Sequence, residues 1–311
     1  MVSAETGGSK VGASVYSTVP PFLRLATLHR HNAKRFRQAF RIWPSFCALQ
    51  SSIAFSTMPR VAALSQIVSY ADEHLRVGEI DDWSNALNGL QVENSGAVTK
   101  IGAAVDASTR TIGSAIERGV NFLIVHHGLF WPGLQPITGG RRRMLEQILQ
   151  RDLALYSAHL PLDVHSVLGN NAQLANSLGL EETEPFFESK GQPIGLRIEA
   201  NISRDDLARQ LEKSLGGAVK IFPAGPAETR TIGIITGGAG SEIYAVAREG
   251  IDTFITGEAP HWAAVAAEEL GINLLLGGHY ATETFGVKAL AAHLSDRFNL
   301  PWEFIDSPTG L

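Results

Sequence analysis

Residues 101–127 read IGAAVDASTRTIGSAIERGVNFLIVHH, and the patterning of this stretch decides the fold class. Residues 100–106 form an apolar run of strand length, and 108–118 follow with helical spacing. Ser108 is placed to cap that helix, and Gly119 to end it in a left-handed turn. Residues 121–125 are a second apolar strand that delivers His126 and His127 at its carboxyl end. Strand, helix, strand is the unit of an α/β fold.

The same grammar returns 131 residues later without a gap, in 232–258, IGIITGGAGSEIYAVAREGIDTFITGE. Ile101 faces Ile232, Gly119 faces Gly250, and the pair His126, His127 faces Gly257, Glu258. This predicts strands at 231–237 and 252–256 with a helix at 241–249 between them. A second pair of segments repeats as well: strand-like 154–158 runs into His159-Leu-Pro-Leu-Asp163, and 274–278 into His279-Tyr-Ala-Thr-Glu283. Two related halves follow, each placing polar groups at the carboxyl ends of its strands, where open α/β sheets bind ligands.

Further outward, apolar residues from Val61 to Leu75 recur at three and four, predicting an amphipathic helix. Residues 193–199 read as a strand, and Ser203 with Asp206 opens a helix that Gly216-Gly217 closes. Residues 219–222 read as another strand. The acidic stretch 181–184 before Pro185 divides the body into an N-terminal α/β lobe, 58–184, and a C-terminal α/β lobe, 185–311, a division that chain crossing would blur.

Of 26 Lys and Arg and 31 Asp and Glu in the 311 residues, residues 1–57 hold seven basic and one acidic, leaving 19 basic and 30 acidic in the body. A body of that sign is unsuited to non-specific nucleic-acid binding, and no apolar run is long enough to span a bilayer. The basic leader reads either as an organellar transit peptide, with residues 22–42 as an Arg-rich amphipathic helix, or as an extension upstream of a start at Met58. The second reading implies a cytoplasmic protein, the first a mitochondrial or plastid one.

Cys47 is the single cysteine, so a metal site must use His, Asp and Glu. His126, His127, Asp163, His279 and Glu283 form such a set, with His159 beside them; imidazole and carboxylate suit zinc, manganese, iron or similar divalent ions. Consecutive histidines on a strand point to opposite faces, so both reach one site only if the chain bends, which Gly128 permits. Pro161 argues for a turn or irregular loop between His159 and Asp163. The turn Gly237-Gly238-Ala239-Gly240-Ser241 suggests a phosphate-binding loop through Gly238, Gly240 and Ser241, or a tight turn with Ser241 as helix cap. Glu258 and His261 are candidate catalytic or supporting residues.

Together, Asn88-Gly-Leu-Gln-Val92, His126-His-Gly-Leu-Phe-Trp131, His159-Leu-Pro-Leu-Asp163, Thr256-Gly-Glu258 with His261, and Gly278-His-Tyr-Ala-Thr-Glu283 resemble the NGG-interacting-factor-three-like proteins, also known as GTP cyclohydrolase I type 2 homologues. The resemblance spans residues 61–311. It implies two related α/β/α three-layer lobes with a dinuclear metal centre between them, and commonly a ring-shaped homohexamer. It also implies two divalent ions held by His126, His127, Asp163, His279 and Glu283. A metal-dependent hydrolase acting on a phosphorylated or nucleotide-like small molecule is one expectation; a non-enzymatic metal-binding or scaffold protein is the alternative.

Overall fold

In the computed structural model, which describes residues 60–311, the decisive stretch folds as strand Ile101–Asp106, helix Thr109–Glu117 and strand Phe122–His127. Ser108 Oγ accepts from Thr111 N, as a helix cap should, and Gly119 sits at φ +74°. The two strands pair in parallel, Ile101 opposite Phe122 and Asp106 opposite His127. Side chains then alternate between two cores. Phe122 and Ile124 pack with helix Leu64–His74, whereas Leu123 and Val125 pack with Ile112 and with Ile148 of helix Gly139–Gln150. All four strand residues are fully buried, so truncating any one to alanine removes about 2–5 kcal/mol.

Five strands make this sheet, in the order Trp302–Phe304, Ile101–Asp106, Phe122–His127, Ala154–Ser157, Gly89–Val92. The Gly89–Val92 edge runs antiparallel to its neighbour. A second sheet has six strands: Thr183–Ser189, Gln192–Ser203, Glu228–Ile234, Thr253–Thr256, Asn273–Leu276 and Lys220–Pro223. Its three inner strands from Glu228 onward are parallel, and the flanking ones antiparallel. Both of its faces are covered by apolar clusters, one including Phe254 and Leu274, the other Ile255 and Leu275. Each sheet is thus the middle layer of a mixed α/β sandwich.

The repeat survives in detail. Ile232 pairs with Thr253 at the spacing by which Ile101 pairs with Phe122. Asn121 Oδ1 accepts from the backbone of Thr99 and Lys100; Asp252 Oδ2, at the matching position, accepts from Arg230 and Thr231. Both side chains anchor the entry of the first strand to the start of the second.

Two local expectations are corrected. The helix expected over 241–249 is a 3-10 turn, Ala239–Glu242, running into helix Ile243–Arg248, and Ser241 bonds Glu242 instead of capping. Gly240 presses against Ala259 and donates to the Glu258 carbonyl, which draws this turn inward and tightens it. Pro161 does not break its segment: it occupies the first turn of the short helix Leu160–Asp163, where no amide donor is needed. Gly128 makes room for Gln91: a side chain there would collide with it, and Gln91 Oε1 accepts from Leu129 N at 2.7 Å.

The division at 184/185 also differs from the sheets. The Thr183–Ser189 strand belongs to the second sheet, but helix Thr284–Phe298 buries Val287, Leu290, Ala291 and Leu294 in the first lobe's core, and Trp302–Phe304 completes the first sheet. The chain therefore crosses back just after Glu283. The leader, the helix read over 22–42 and the start at Met58 lie outside the described residues. Among the described residues no helix is long and apolar enough to cross a membrane.

Candidate metal centre

The carboxyl ends of the two sets of parallel strands bring the repeat's polar residues together. His126 and His127 end one strand, yet both reach the Glu283 carboxylate: His126 Nε2 lies 3.6 Å from Oε1 and His127 Nε2 3.5 Å from Oε2. His126 Nε2 is also 3.4 Å from Asp163 Oδ2, and His279 Nε2 is 3.2 Å from Glu283 Oε2. His159 joins the other side, so two donor clusters arise, His126 with His127 and His159, and His127 with His279 and Glu283. His127 belongs to both.

Each imidazole is aimed by a partner on its other nitrogen. His126 Nδ1 bonds the Ala158 carbonyl at 2.8 Å, His127 Nδ1 the Asp106 carboxylate at 2.9 Å, and His159 Nδ1 that of Asp82 at 3.0 Å. His279 Nδ1 bonds Glu258 at 2.9 Å. Asp163 is held by Asn170, whose Nδ2 donates to it at 2.8 Å while Oδ1 accepts from Gly286 N at 2.6 Å. That last bond fastens the start of the returning helix beside Glu283. Gly237, at φ +72°, leaves the space into which Glu283 projects; any side chain there would strike the carboxylate.

Charge is strongly coupled at this spot. Burial alone would lower the His126 imidazole, but the Asp163 and Glu283 carboxylates override it and raise it well above the ordinary histidine range. Burial would likewise raise Glu283, yet His126, His279 and His127 hold it well below the carboxylate range. His279 is pushed up to about 9 by Glu283 and Glu258 against its burial. His127 goes the other way, lowered by burial despite Asp106. Among the described residues, His126 Nε2 and Glu283 Oε2 are buried with no hydrogen-bond partner. Orphaned donors and acceptors of this kind are costly unless something binds them. Nitrogen and carboxylate donors converging on one space fit divalent metal ions.

All five ligand candidates are therefore brought together, with His159 beside them. His261 is not: it opens helix His261–Leu270 behind Pro260, on an exposed first turn, and is not among the residues that line the adjoining cleft. Glu258 serves as the partner of His279. Gly238 and Ser241 line the cleft, but the Gly240 amide is occupied by the Glu258 carbonyl. Asp106, Asp82 and Asn170 went unread in the sequence. Asp106 carried a signal, since it ends the strand beside the one that ends in histidine; Asp82 sits in an irregular loop and carried none.

The donors open into a cleft of about 500 Å³ walled by Trp83, Trp131, Phe187 and Ile194. Trp131 packs 4.4 Å from the His159 ring and 4.8 Å from His127, and Trp83 meets His159 edge-on at 5.6 Å.

Comparison with known proteins agrees with this architecture. The solved structure of TTHA1606 from Thermus thermophilus superposes with a TM-score of 0.74 at 41% identity, covering 80% of this chain and 100% of that one. A Pyrococcus horikoshii protein named GTP cyclohydrolase 1 type 2 homolog is 41% identical over 249 residues, 79% of this chain and 98% of its own. One of the same name from Deinococcus radiodurans is 38% identical over 248 residues, 79% and 94%. The family model described as Duf34/NIF3 (NGG1p interacting factor 3) matches residues 62–309, and with it the chain belongs to that family.

Proposed function

We propose that this chain binds two divalent metal ions and uses them to hydrolyse a phosphorylated or nucleotide-like small molecule. The observation that carries the reading is the pair of donor clusters sharing His127, convergent on orphaned buried atoms and open to a cleft on one side. Structural metal sites are closed by protein ligands, whereas catalytic ones keep a side accessible to substrate. When bound, the ions would supply Lewis acidity, polarising the scissile bond and making an attacking water more acidic.

The chain's own residues do the rest. His126, His127 and Asp163 with Glu283 and His279 hold the ions; Asp106, Asp82 and Glu258 fix the tautomer and direction of three imidazoles. The apolar and aromatic walls exclude water and receive the organic part of the substrate. Assembly as a homohexamer belongs to the same reading. Exposed Tyr244 and Trp262, stacked at 6.1 Å, offer an apolar surface of the kind that subunit contacts cover.

The test is metal analysis of protein purified without chelator, beside Asp163→Ala and Glu283→Ala, followed by a phosphoester and nucleotide turnover screen and light-scattering mass. Two ions per chain, reduced in Asp163→Ala and lost in Glu283→Ala, and accompanied by turnover, are expected. Two ions without turnover would leave a binding role only, and no bound metal would overturn the reading.

A further inference from the structure

The cleft walls carry information about substrate that the metal ligands do not. Trp83 and Trp131 both line it and both abut the His159 ring, so aromatic rings stand next to the metal end. Trp83 is 40% exposed, and Asn85 Nδ2 donates to the Trp131 carbonyl at 2.5 Å, which ties the two tryptophan loops together. The opposite wall is the hairpin of Thr183–Ser189 and Gln192–Ser203, whose tip is fixed across the mouth: Gln192 Nε2 donates to Asp81 O at 2.9 Å, and Lys190 Nζ lies 5.2 Å over the Trp83 ring. A slot lined by aromatic rings beside a donor-rich end suits a flat ring.

Charge sets a second condition. The lining includes four carboxylates, Asp163, Glu188, Glu242 and Glu283, and among the described residues no Lys or Arg. Asp163 and Glu283 belong to the metal end, whereas Glu188 and Glu242 are exposed and stand outside both donor clusters. A single phosphate or carboxylate can meet the cations on the floor. A polyphosphate tail would have to extend past two like charges, with Lys190 already over Trp83. Like-charge juxtaposition of this kind is the usual means of rejecting a ligand.

We infer that the substrate is a planar heteroaromatic molecule carrying at most one anionic group, its ring packed against the wall that Trp83 and Trp131 form and its anion directed to the metal end, and that a nucleoside triphosphate is excluded. This deepens the metal-hydrolase reading and rests on it only for the anion's position; the ring slot stands independently.

Calorimetric titration of the full chain, metal content measured before and after, separates the two. Probes are adenosine, adenosine monophosphate, adenosine triphosphate and ribose 5-phosphate. Adenosine and the monophosphate should bind, the monophosphate tighter in metal-loaded protein, with the triphosphate and ribose 5-phosphate each at least about tenfold weaker than the monophosphate. Trp83→Ala should weaken both ring-bearing ligands about tenfold or more, and Trp83→Phe should restore most of it. The double variant Glu188→Gln, Glu242→Gln should narrow the gap between mono- and triphosphate. Triphosphate binding as tight as monophosphate, ring-independent binding of ribose 5-phosphate, or no adenosine binding would each overturn the inference. Adenosine binding to a chain that holds no metal would sink the metal reading and leave the slot standing.

Discussion

At the scale of single residues, the centre is a set of imidazoles whose usefulness depends on what holds them. Asp106→Asn keeps the shape and a hydrogen-bond acceptor beside His127 Nδ1 but removes the charge that orients and enriches the ring. Metal affinity should fall about 10- to 100-fold, read by competition with a chromophoric chelator; an unchanged affinity would deny Asp106 that role. Asn170→Ala tests a different dependence. It frees Asp163 and leaves Gly286 N buried without an acceptor, costing about 1–3 kcal/mol, which urea titration would register alongside weaker metal binding. The ligands were legible in sequence because His, Asp and Glu recur at matched positions of a repeat. Their supports were not, because Asp82 reaches across 77 residues to bond His159, and Asn170, though near Asp163 in sequence, is itself set by a bond to Gly286 across 116 residues. Nothing local marks such a contact. His261 stands apart from the ligands: it is exposed at the start of its helix and does not line the cleft.

Among elements, what the sequence showed best was what the backbone demands locally. Gly119 and Gly250 end matching helices at φ +74° and +80°, a conformation that a Cβ disfavours. Gly119→Ala and Gly250→Ala should each cost about 1–2 kcal/mol, and the double variant close to the total, since the sites share no partner. Urea midpoints would check this; a neutral Gly250→Ala would show the second half tolerating what the first does not. Strand and helix boundaries fell within a few residues for the same reason, as periodicity and caps are local signals. The Ala239–Glu242 turn was misread because its shape is imposed by Ala259 and the Glu258 carbonyl, which sequence spacing does not display. The return of Thr284–Phe298 to the first lobe was likewise hidden: an amphipathic helix states that it packs, not on which sheet.

For the whole molecule, two dependences on solution conditions follow. His74, His165 and His293 gather where helices Leu64–His74 and Thr284–Phe298 meet, His293 stacked 4.5 Å from His74 and bonded to Tyr70 at 2.7 Å, with Asp296 and Arg297 alongside. Burial, His74 and Arg297 lower His293 against the pull of Asp296. Between its folded value and the ordinary 6.5, the unfolded chain binds more protons, so this contribution is intact above 6.5 and is lost as pH falls below it. His293→Gln, which keeps an acceptor for Tyr70, should flatten the acid-side fall of the urea midpoint; an unaltered slope would place that dependence elsewhere. Metal acts on a larger scale. His126 and His127 come from the first sheet, and His279 follows a strand of the second, while Glu283 precedes the crossing helix, so ions at this point would join all three. An ion present at a hundred times its dissociation constant stabilises by about 2.7 kcal/mol per site, and about 2–4 °C accompanies each kcal/mol in a body of this size. Chelation should therefore lower the melting temperature by about 5–10 °C for each site emptied. Glu283→Gln should abolish most of the shift, because its carboxylate is the acid shared by His126, His127 and His279. Asp163→Asn should abolish only part, since Asp163 lies beside His126 alone of these three. Equal losses in the two variants would mean one ion rather than two, and a melting temperature indifferent to metal in the wild type would mean that the orphaned atoms at the centre are met by something else.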